Sequence, residues 1–165
     1  MDLFDFICEL IYQEWQEYYN IININSSDEL ITFYKNVFIE KNNLNQKYNG
    51  IFLLFNKINS INQLVGFITI SNDDIEGYKK INKNSLFINE IYVLKKYRKS
   101  GYGKKIINFA IDYITNLNMK IYLSVEKLKL LDYYKKLGFV EVDNYNLENQ
   151  KYIIMEYNVK KSLID

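Results

Sequence analysis

The sequence predicts an α/β fold: a twisted mixed sheet of six or seven strands, with a parallel pair near its middle and helices on both faces. Three observations predict it. Residues 86–93 are bulky, β-branched or aromatic apart from Asn89 and Glu90, the composition of a mostly buried strand. That run passes through a basic glycine loop, Arg98-Lys-Ser-Gly101-Tyr-Gly103, into a segment with helical period from Lys104 onward. A second apolar run, residues 120–125, follows the helix, and two strands joined by a long helix pair in parallel through a right-handed crossover.

The remaining elements follow in chain order. Residues 3–19 carry Leu3, Ile7, Leu10, Ile11, Glu14 and Tyr18 at helical spacing, with Asp5, Glu9, Gln13, Gln16 and Glu17 mostly elsewhere, so an amphipathic helix is expected with Trp15 packed near its end. Ser26-Ser-Asp28-Glu29 ahead of Leu30, Phe33, Tyr34, Val37 and Phe38 marks a second helix, with a hydroxyl cap and acids in the first turn. Residues 50–55 and 64–70 are short apolar strands of a hairpin joined by an Asn-rich loop. Residues 71–85, with Asp73, Asp74, Glu76 and Gly77, form a polar loop. The helix after the glycine loop bears a wide apolar stripe of Ile106, Ile107, Ala110, Ile111, Ile114 and Leu117. A short helix at 127–137 ends on Gly138, and residues 139–142 and 152–157 close the sheet as an antiparallel pair around a polar loop.

The 165 residues suit one domain over 1–165, with two helices in 1–49 and a sheet core in 50–158. Hydrophobic residues at 48% and charged residues at 25% are values of an ordinary globular chain rather than a disordered one. Met1-Asp2 is acidic where a secretory leader is basic, and no apolar run reaches bilayer length, so a cytoplasmic protein without membrane contact is expected. Cys8 is the single cysteine and histidine is absent, which excludes an internal disulfide and would leave a zinc site to carboxylates alone, so no metal is expected. The net charge of +1 is unevenly spread: residues 1–49 hold 8 acids and 3 bases, residues 94–137 hold 11 bases and 3 acids. A basic stripe also suits nucleic acid, but no stacking or recognition-helix pattern accompanies it, so nucleic acid is not the expected partner.

Two glycines let the loop turn sharply and approach a ligand, and the first N–H groups of the helix behind it have no internal partners. With the helix dipole and Arg98, Lys99, Lys104 and Lys105 around them, these groups form an anion site suited to a pyrophosphate. Arg98 is the sole arginine of the chain.

Val93 followed by Arg98-x-x-Gly101-x-Gly103 resembles the coenzyme loop of the GNAT superfamily of N-acetyltransferases, and Tyr134-Lys-Lys-Leu-Gly138-Phe139 resembles the family's Tyr-x-Lys-x-Gly-Phe signature. The resemblance covers roughly residues 50–158, and Val65-Gly66-Phe67 looks like the family's Val-Gly strand. It implies an acetyl-CoA-dependent N-acetyltransferase acting on a primary amine of a small molecule or peptide, as a monomer or homodimer. The parallel strands then splay, and the pantetheine arm enters between them like an added strand. Phosphates fall to the loop of Arg98, Lys99, Ser100, Gly101, Tyr102, Gly103 and Lys104. The acetyl and pantetheine carbonyls fall to the backbone of Ile91, Tyr92 and Val93. The two N-terminal helices would frame the acceptor; their acidic excess suits a cationic acceptor or is a solvated face. Departures are Lys127 and Leu130 where the family often has Asn and Ala, and Lys95-Lys96 where it has Pro; a side-chain contact to coenzyme is lost or passes to Lys127.

Transfer to an amine needs a held thioester, donors for the oxyanion, a route for the amine proton and a proton for the departing thiolate. Tyr134 suits the last role by its place in the signature; alternatively it packs with Leu130, Leu131 and Leu137. Glu90 is the candidate base: strand alternation sets it with Ile88 and Tyr92 and opposite Phe87, Ile91 and Val93, where burial favours proton uptake. Otherwise Glu90 pairs with a surface lysine, and Asp73 and Asp74 with a water chain carry the proton. A member that binds acyl-CoA but has lost turnover, serving as a sensor or partner, is the alternative function.

Overall fold

The computed structural model describes residues 3–14, 16, 20, 23–32, 50–58, 60–72, 84–126, 128–147 and 150–158. The chain forms two compact units, Met1–Lys47 and Tyr48–Asp165. In the first, helix α1 (Leu3–Glu14) has Asp5 in its first turn and buries Ile7 and Cys8 together with Ile11, four and three residues on, along one helical face. A second helical stretch at 27–32 opens as its sequence predicts: the Ser26 hydroxyl accepts the Glu29 N–H at 3.2 Å, and the Glu29 carboxylate accepts the Asn25 N–H at 2.7 Å. Trp15 and Tyr18 of the first predicted helix, and Phe33, Tyr34, Val37 and Phe38 of the second, lie outside the described residues.

The second unit is a six-stranded sheet built from β1 (Gly50–Ile58), β2 (Ile61–Ser71), β3 (Ser85–Val93), β4 (Lys120–Val125), β5 (Phe139–Leu147) and β6 (Gln150–Tyr157). The spatial order is β1-β2-β3-β4-β6-β5, and only β3 and β4 run parallel, as their helical crossover requires. That crossover holds a 3₁₀ turn (Lys95–Tyr97) and helix α2 (Tyr102–Asn116); a second 3₁₀ turn (Leu128–Leu130) leads into helix α3 (Leu131–Lys136). Both hairpins are tighter than their polar sequences suggest. Strands β1 and β2 reach Ile58 and Ile61, and β5 and β6 reach Leu147 and Gln150, because ladder pairing continues through Asn-rich stretches once the partner strand is in register.

The apolar stripe of α2 packs Ile106, Ile107, Ala110, Ile111 and Ile114 onto one sheet face, against Ile68 and Ile70 of β2, Leu86 and Ile88 of β3, and Ile121, Leu123 and Val125 of β4. Each such aliphatic side chain contributes roughly 1.5–3 kcal/mol by leaving water. The opposite face carries Phe87, Tyr122 and Ile154, with Tyr145 packed against them. Rings stack across neighbouring strands there, Phe67 on Tyr92 at 5.3 Å and Phe87 on Tyr122 at 5.8 Å. No helix among the described residues is long and apolar enough to cross a membrane.

One irregularity corrects the expected alternation of β3. Ile68 pairs with Ile91 and Ile70 with Ile88, so Thr69 alone stands opposite both Asn89 and Glu90, a β-bulge. The extra residue resets the phase. Ile88, Ile91 and Val93 all lie with the α2-side core, whereas Tyr92 stacks on the other face. Glu90, bonded to Thr69, keeps its expected place with Tyr92 and opposite Ile91 and Val93, but lies with Phe87 and not with Ile88. A single inserted residue changes the face of everything beyond it, and the sequence alone does not reveal where the insertion falls.

Candidate active site at the opened strand seam

The parallel pair is laced at one end and open at the other. Its register runs Ser85–Lys120, Leu86–Ile121, Phe87–Tyr122 and Ile88–Leu123, then stops. At the laced end the Lys120 N–H donates to Asn84 O at 3.1 Å, and the Asn84 side chain donates to Asn118 O at 3.1 Å. Beyond Ile88, β3 continues five residues along β2 while β4 follows β6 to the Val125–Ile153 pair, so the two strands part. The bulge at Asn89–Glu90 sits where the parting begins.

The antiparallel ladder determines which backbone groups line the gap. The Leu94 N–H donates to Val65 O at 2.9 Å, and hydrogen-bonded pairs alternate along such a ladder, so Tyr92 bonds toward β2 while the N–H and C=O of Ile91 and Val93 face the seam. Of the three residues expected to meet the acyl chain, two present backbone there. The Val93 carbonyl already accepts from Arg98 Nε at 2.8 Å, and the Arg98 guanidinium lies 5.4 Å from the Tyr92 ring centroid. Arg98 thus ties the glycine loop to the strand end, a role that the loop sequence did not suggest.

The loop itself delivers the helix start. Gly101 is the N-cap with φ 81°, and the first intrahelical bond runs from the Lys105 N–H to Gly101 O at 3.2 Å, so the N–H groups of Tyr102, Gly103 and Lys104 lie ahead of any intrahelical acceptor. Lys99 also holds a left-handed backbone, φ 64°. Lys99, Ser100, Lys104 and Lys105, all exposed, surround this end. The approach is braced by Tyr97, whose hydroxyl donates to the Gln63 carbonyl oxygen at 2.7 Å and whose ring meets Tyr102 edge-on at 5.9 Å. Tyr97 and Gln63 carry no motif, and only the fold brings them together.

Helix α3 completes the α2 side of the seam. A Cβ placed on Gly103 would lie 3.6 Å from the Tyr133 hydroxyl oxygen, so the two sequence motifs meet in space through Tyr133, a residue with no position of its own in the signature. Tyr134 packs against the core that also takes Ile91, Val93, Leu131 and Leu137, and stands edge-on to Phe139 at 5.9 Å; Leu130 is exposed. Burial, with a smaller contribution from Tyr133, pushes the Tyr134 hydroxyl up to about 12. Among the described residues this hydroxyl has no hydrogen-bond partner, although its ring is packed. Partial burial also raises Tyr133.

Glu90 lies on the other side of the sheet. Its N–H donates to the Thr69 hydroxyl at 2.9 Å, and that hydroxyl donates to Glu90 Oε2, so a neighbouring strand holds the carboxylate. Asn89 donates to the Ser71 hydroxyl at 2.8 Å. Tyr134 and Glu90 therefore flank the opened seam from opposite faces. Lys127, Asp73 and Asp74 lie outside the described residues. Among the described residues no group of His, Cys, Asp and Glu is arranged to hold a metal ion.

Residues 8–139 match the Acetyltransferase (GNAT) family, and the chain belongs to that family. PH1933 from Pyrococcus horikoshii has a similar fold, with a TM-score of 0.60 at 21% identity over 96% of this chain and 92% of that one. The NatC complex bound to Gag peptide and CoA gives 0.55 at 19% identity, over 78% of this chain and 79% of that one. An acyl-CoA N-acyltransferase from Pseudomonas aeruginosa is 22% identical over 58% of this chain, with a TM-score of 0.46; the match spans 62% of that protein's length.

Proposed function

We propose that this protein is an acetyl-CoA-dependent N-acetyltransferase that moves an acetyl group to a primary amine of a small molecule or peptide by direct attack. The observation that carries the reading is the seam that opens beyond Ile88 and Leu123, beside a helix start with N–H groups that have no intrahelical acceptor. In this reading the N–H groups of Gly101 to Lys104, with Arg98, Lys99 and Ser100 around them, hold the pyrophosphate. The pantetheine arm lies between β3 and β4, bonding to the backbone of Ile91 and Val93. Threading the thioester through the seam presents its carbon to Glu90 on one face and its sulfur to Tyr134 on the other.

The acceptor arrives as an ammonium and gives a proton to the Glu90 carboxylate, directly or through a water. The free amine attacks the thioester carbonyl; the C–N bond forms, and an N–H donor on the seam strand, the Ile91 backbone, steadies the oxyanion. The nitrogen gives its second proton to water as the C–S bond breaks, and coenzyme A leaves as its thiolate. With the Tyr134 hydroxyl pushed up to about 12 and a thiol near 8.5, full transfer to the thiolate is uphill by about 5 kcal/mol. Tyr134 therefore acts by donating a charge-assisted hydrogen bond to the sulfur, and the proton that completes the thiol comes from solvent. In net terms, an ammonium and acetyl-CoA give an acetamide, the free thiol and one proton.

The test is thiol release from acetyl-CoA across a panel of amines: polyamines, amino sugars, amino acids and peptides with free N-termini. Release dependent on one amine class, with an acetylated product of matching mass, is expected. Tight acetyl-CoA binding with no release for any amine would instead mark a binding protein that has lost turnover.

A further inference from the structure

We propose that Thr69 is a positioning residue for the transfer reaction, holding the β3 bulge and the Glu90 carboxylate in one arrangement; this rests on the acetyltransferase reading above. Thr69 is 5% exposed and is one of two buried polar residues among those described. Burying a hydroxyl is unfavourable unless its hydrogen bonds are made. Here both are made to the same residue: the Thr69 oxygen accepts the Glu90 N–H at 2.9 Å, and its O–H goes to Glu90 Oε2. The first bond replaces the ladder bond that the bulge removes, since Thr69 has two residues, Asn89 and Glu90, opposite it. The second restricts the Glu90 side chain, which has several rotatable bonds to order.

These two bonds link the geometry of the seam to that of the candidate base. The bulge is also secured by the packing of Ile91 and Val93 with the α2-side core, so loss of the Thr69 hydroxyl releases the Glu90 carboxylate while the seam strand keeps its register. The same hydroxyl that holds the bulge also fixes one carboxylate oxygen. A serine could make both bonds, whereas a valine of the same shape makes neither. The side chain touches neither coenzyme nor acceptor in this reading, and it acts through Glu90.

The experiment is a double-mutant cycle on the full chain, with the amine that gives the fastest thiol release. Thr69→Val is expected to lower kcat about 10- to 100-fold, the cost of misplacing a reacting group, while calorimetric acetyl-CoA affinity stays within about twofold. Thr69→Ser is expected to restore kcat to within about threefold of the wild type. Thr69→Val combined with Glu90→Gln is expected to be no slower than Glu90→Gln alone, since residues that act as a unit are not additive. Thr69→Cys fills the same space with a weak hydrogen-bonding group and gives the same pattern should the valine variant fail to fold. Multiplying effects in the double variant, or parallel loss of acetyl-CoA binding, would reduce Thr69 to a structural residue and overturn the assignment. Thiol release that Glu90→Gln leaves unchanged overturns this assignment alone, whereas no release by the wild type overturns the transfer reading and this assignment with it.

Discussion

Gly101 and Gly103 are glycine for different reasons, and substitutions separate them. Gly101 holds φ 81° with nothing within 4 Å of the position a Cβ would take, so its constraint is conformational. Gly101→Ala is expected to cost about 1–2 kcal/mol of stability through left-handed strain while leaving acetyl-CoA affinity within a few fold. Gly103 sits in the first turn, where added bulk would cover the N–H groups facing an anion. Gly103→Glu is expected to abolish acetyl-CoA binding in a folded protein, by filling that space and adding like charge; unchanged calorimetric affinity would move the coenzyme elsewhere. For Tyr134, the Phe variant keeps the ring against Phe139 and removes only the hydroxyl, so kcat is expected to fall about 100-fold with the Michaelis constant for acetyl-CoA within a few fold. A kcat equal to the wild type would leave Tyr134 as a packing residue.

The same hydroxyl has a pH signature. Folding raises it from about 10 to about 12 because burial disfavours the tyrosinate. Below pH 10 both folded and unfolded chains keep the proton. Between about pH 10 and 12 the unfolded chain releases it first, so stability contributed by this group is lost as pH rises through that window. Unfolding free energies from urea titrations across it are expected to separate, wild type falling relative to Tyr134→Phe by on the order of 2 kcal/mol. Parallel curves would mean the hydroxyl is better solvated than its packing implies.

At the scale of elements, the approach of β2 to β3 depends on Gly66. A Cβ there would stand 2.2 Å from the Tyr92 carbonyl oxygen and 3.1 Å from Ile106 Cδ1, so no side chain fits between the strand pair and α2. The backbone oxygen cannot swing aside as a side chain would. Gly66→Ala is expected to destabilise by about 3 kcal/mol or more, at the upper end of overpacking costs, and to weaken acetyl-CoA binding because the displaced strand is the one that carries Ile91 and Val93. Thermal melts with calorimetry would check both; a variant as stable as the wild type would mean β2 and β3 separate freely. Helix α3 ends as its sequence predicts, with Gly138 at φ 98° and its N–H bonded to Lys135 O at 3.0 Å.

Across the unit formed by Tyr48–Asp165, packed elements bound the seam: α2 grips β2, β3 and β4 on one face, and β4 pairs with β6 where it parts from β3. Acetyl-CoA at a hundredfold above its dissociation constant is expected to stabilise the protein by about 2.7 kcal/mol, a melting shift of roughly 5–10 °C. Because the proposed anion contacts use lysines at the surface, the shift is expected to shrink as salt rises toward 1 M. A shift indifferent to salt would argue against a phosphate held at the α2 start.

By itself the sequence determined the elements whose signal is local. The β3 run, the glycine loop, the stripe of α2 and the Gly138 stop each follow from spacing or from a residue with a special backbone, and the long crossover dictated the parallel pair. The paired motifs also carried the family. Tertiary structure alone decided the rest, because bulges, register and cross-strand bonds are set by partners distant in the chain. Nothing near Glu90 announces the bulge; it exists because Thr69, twenty-one residues earlier, offers one position to two. That single insertion moved Ile91 and Val93 to the α2 side and left Glu90 and Tyr134 on opposite faces of the seam. The tie from Arg98 to Val93 O has the same origin in the fold, since a side chain finds a strand-end carbonyl only once the loop has turned back toward it.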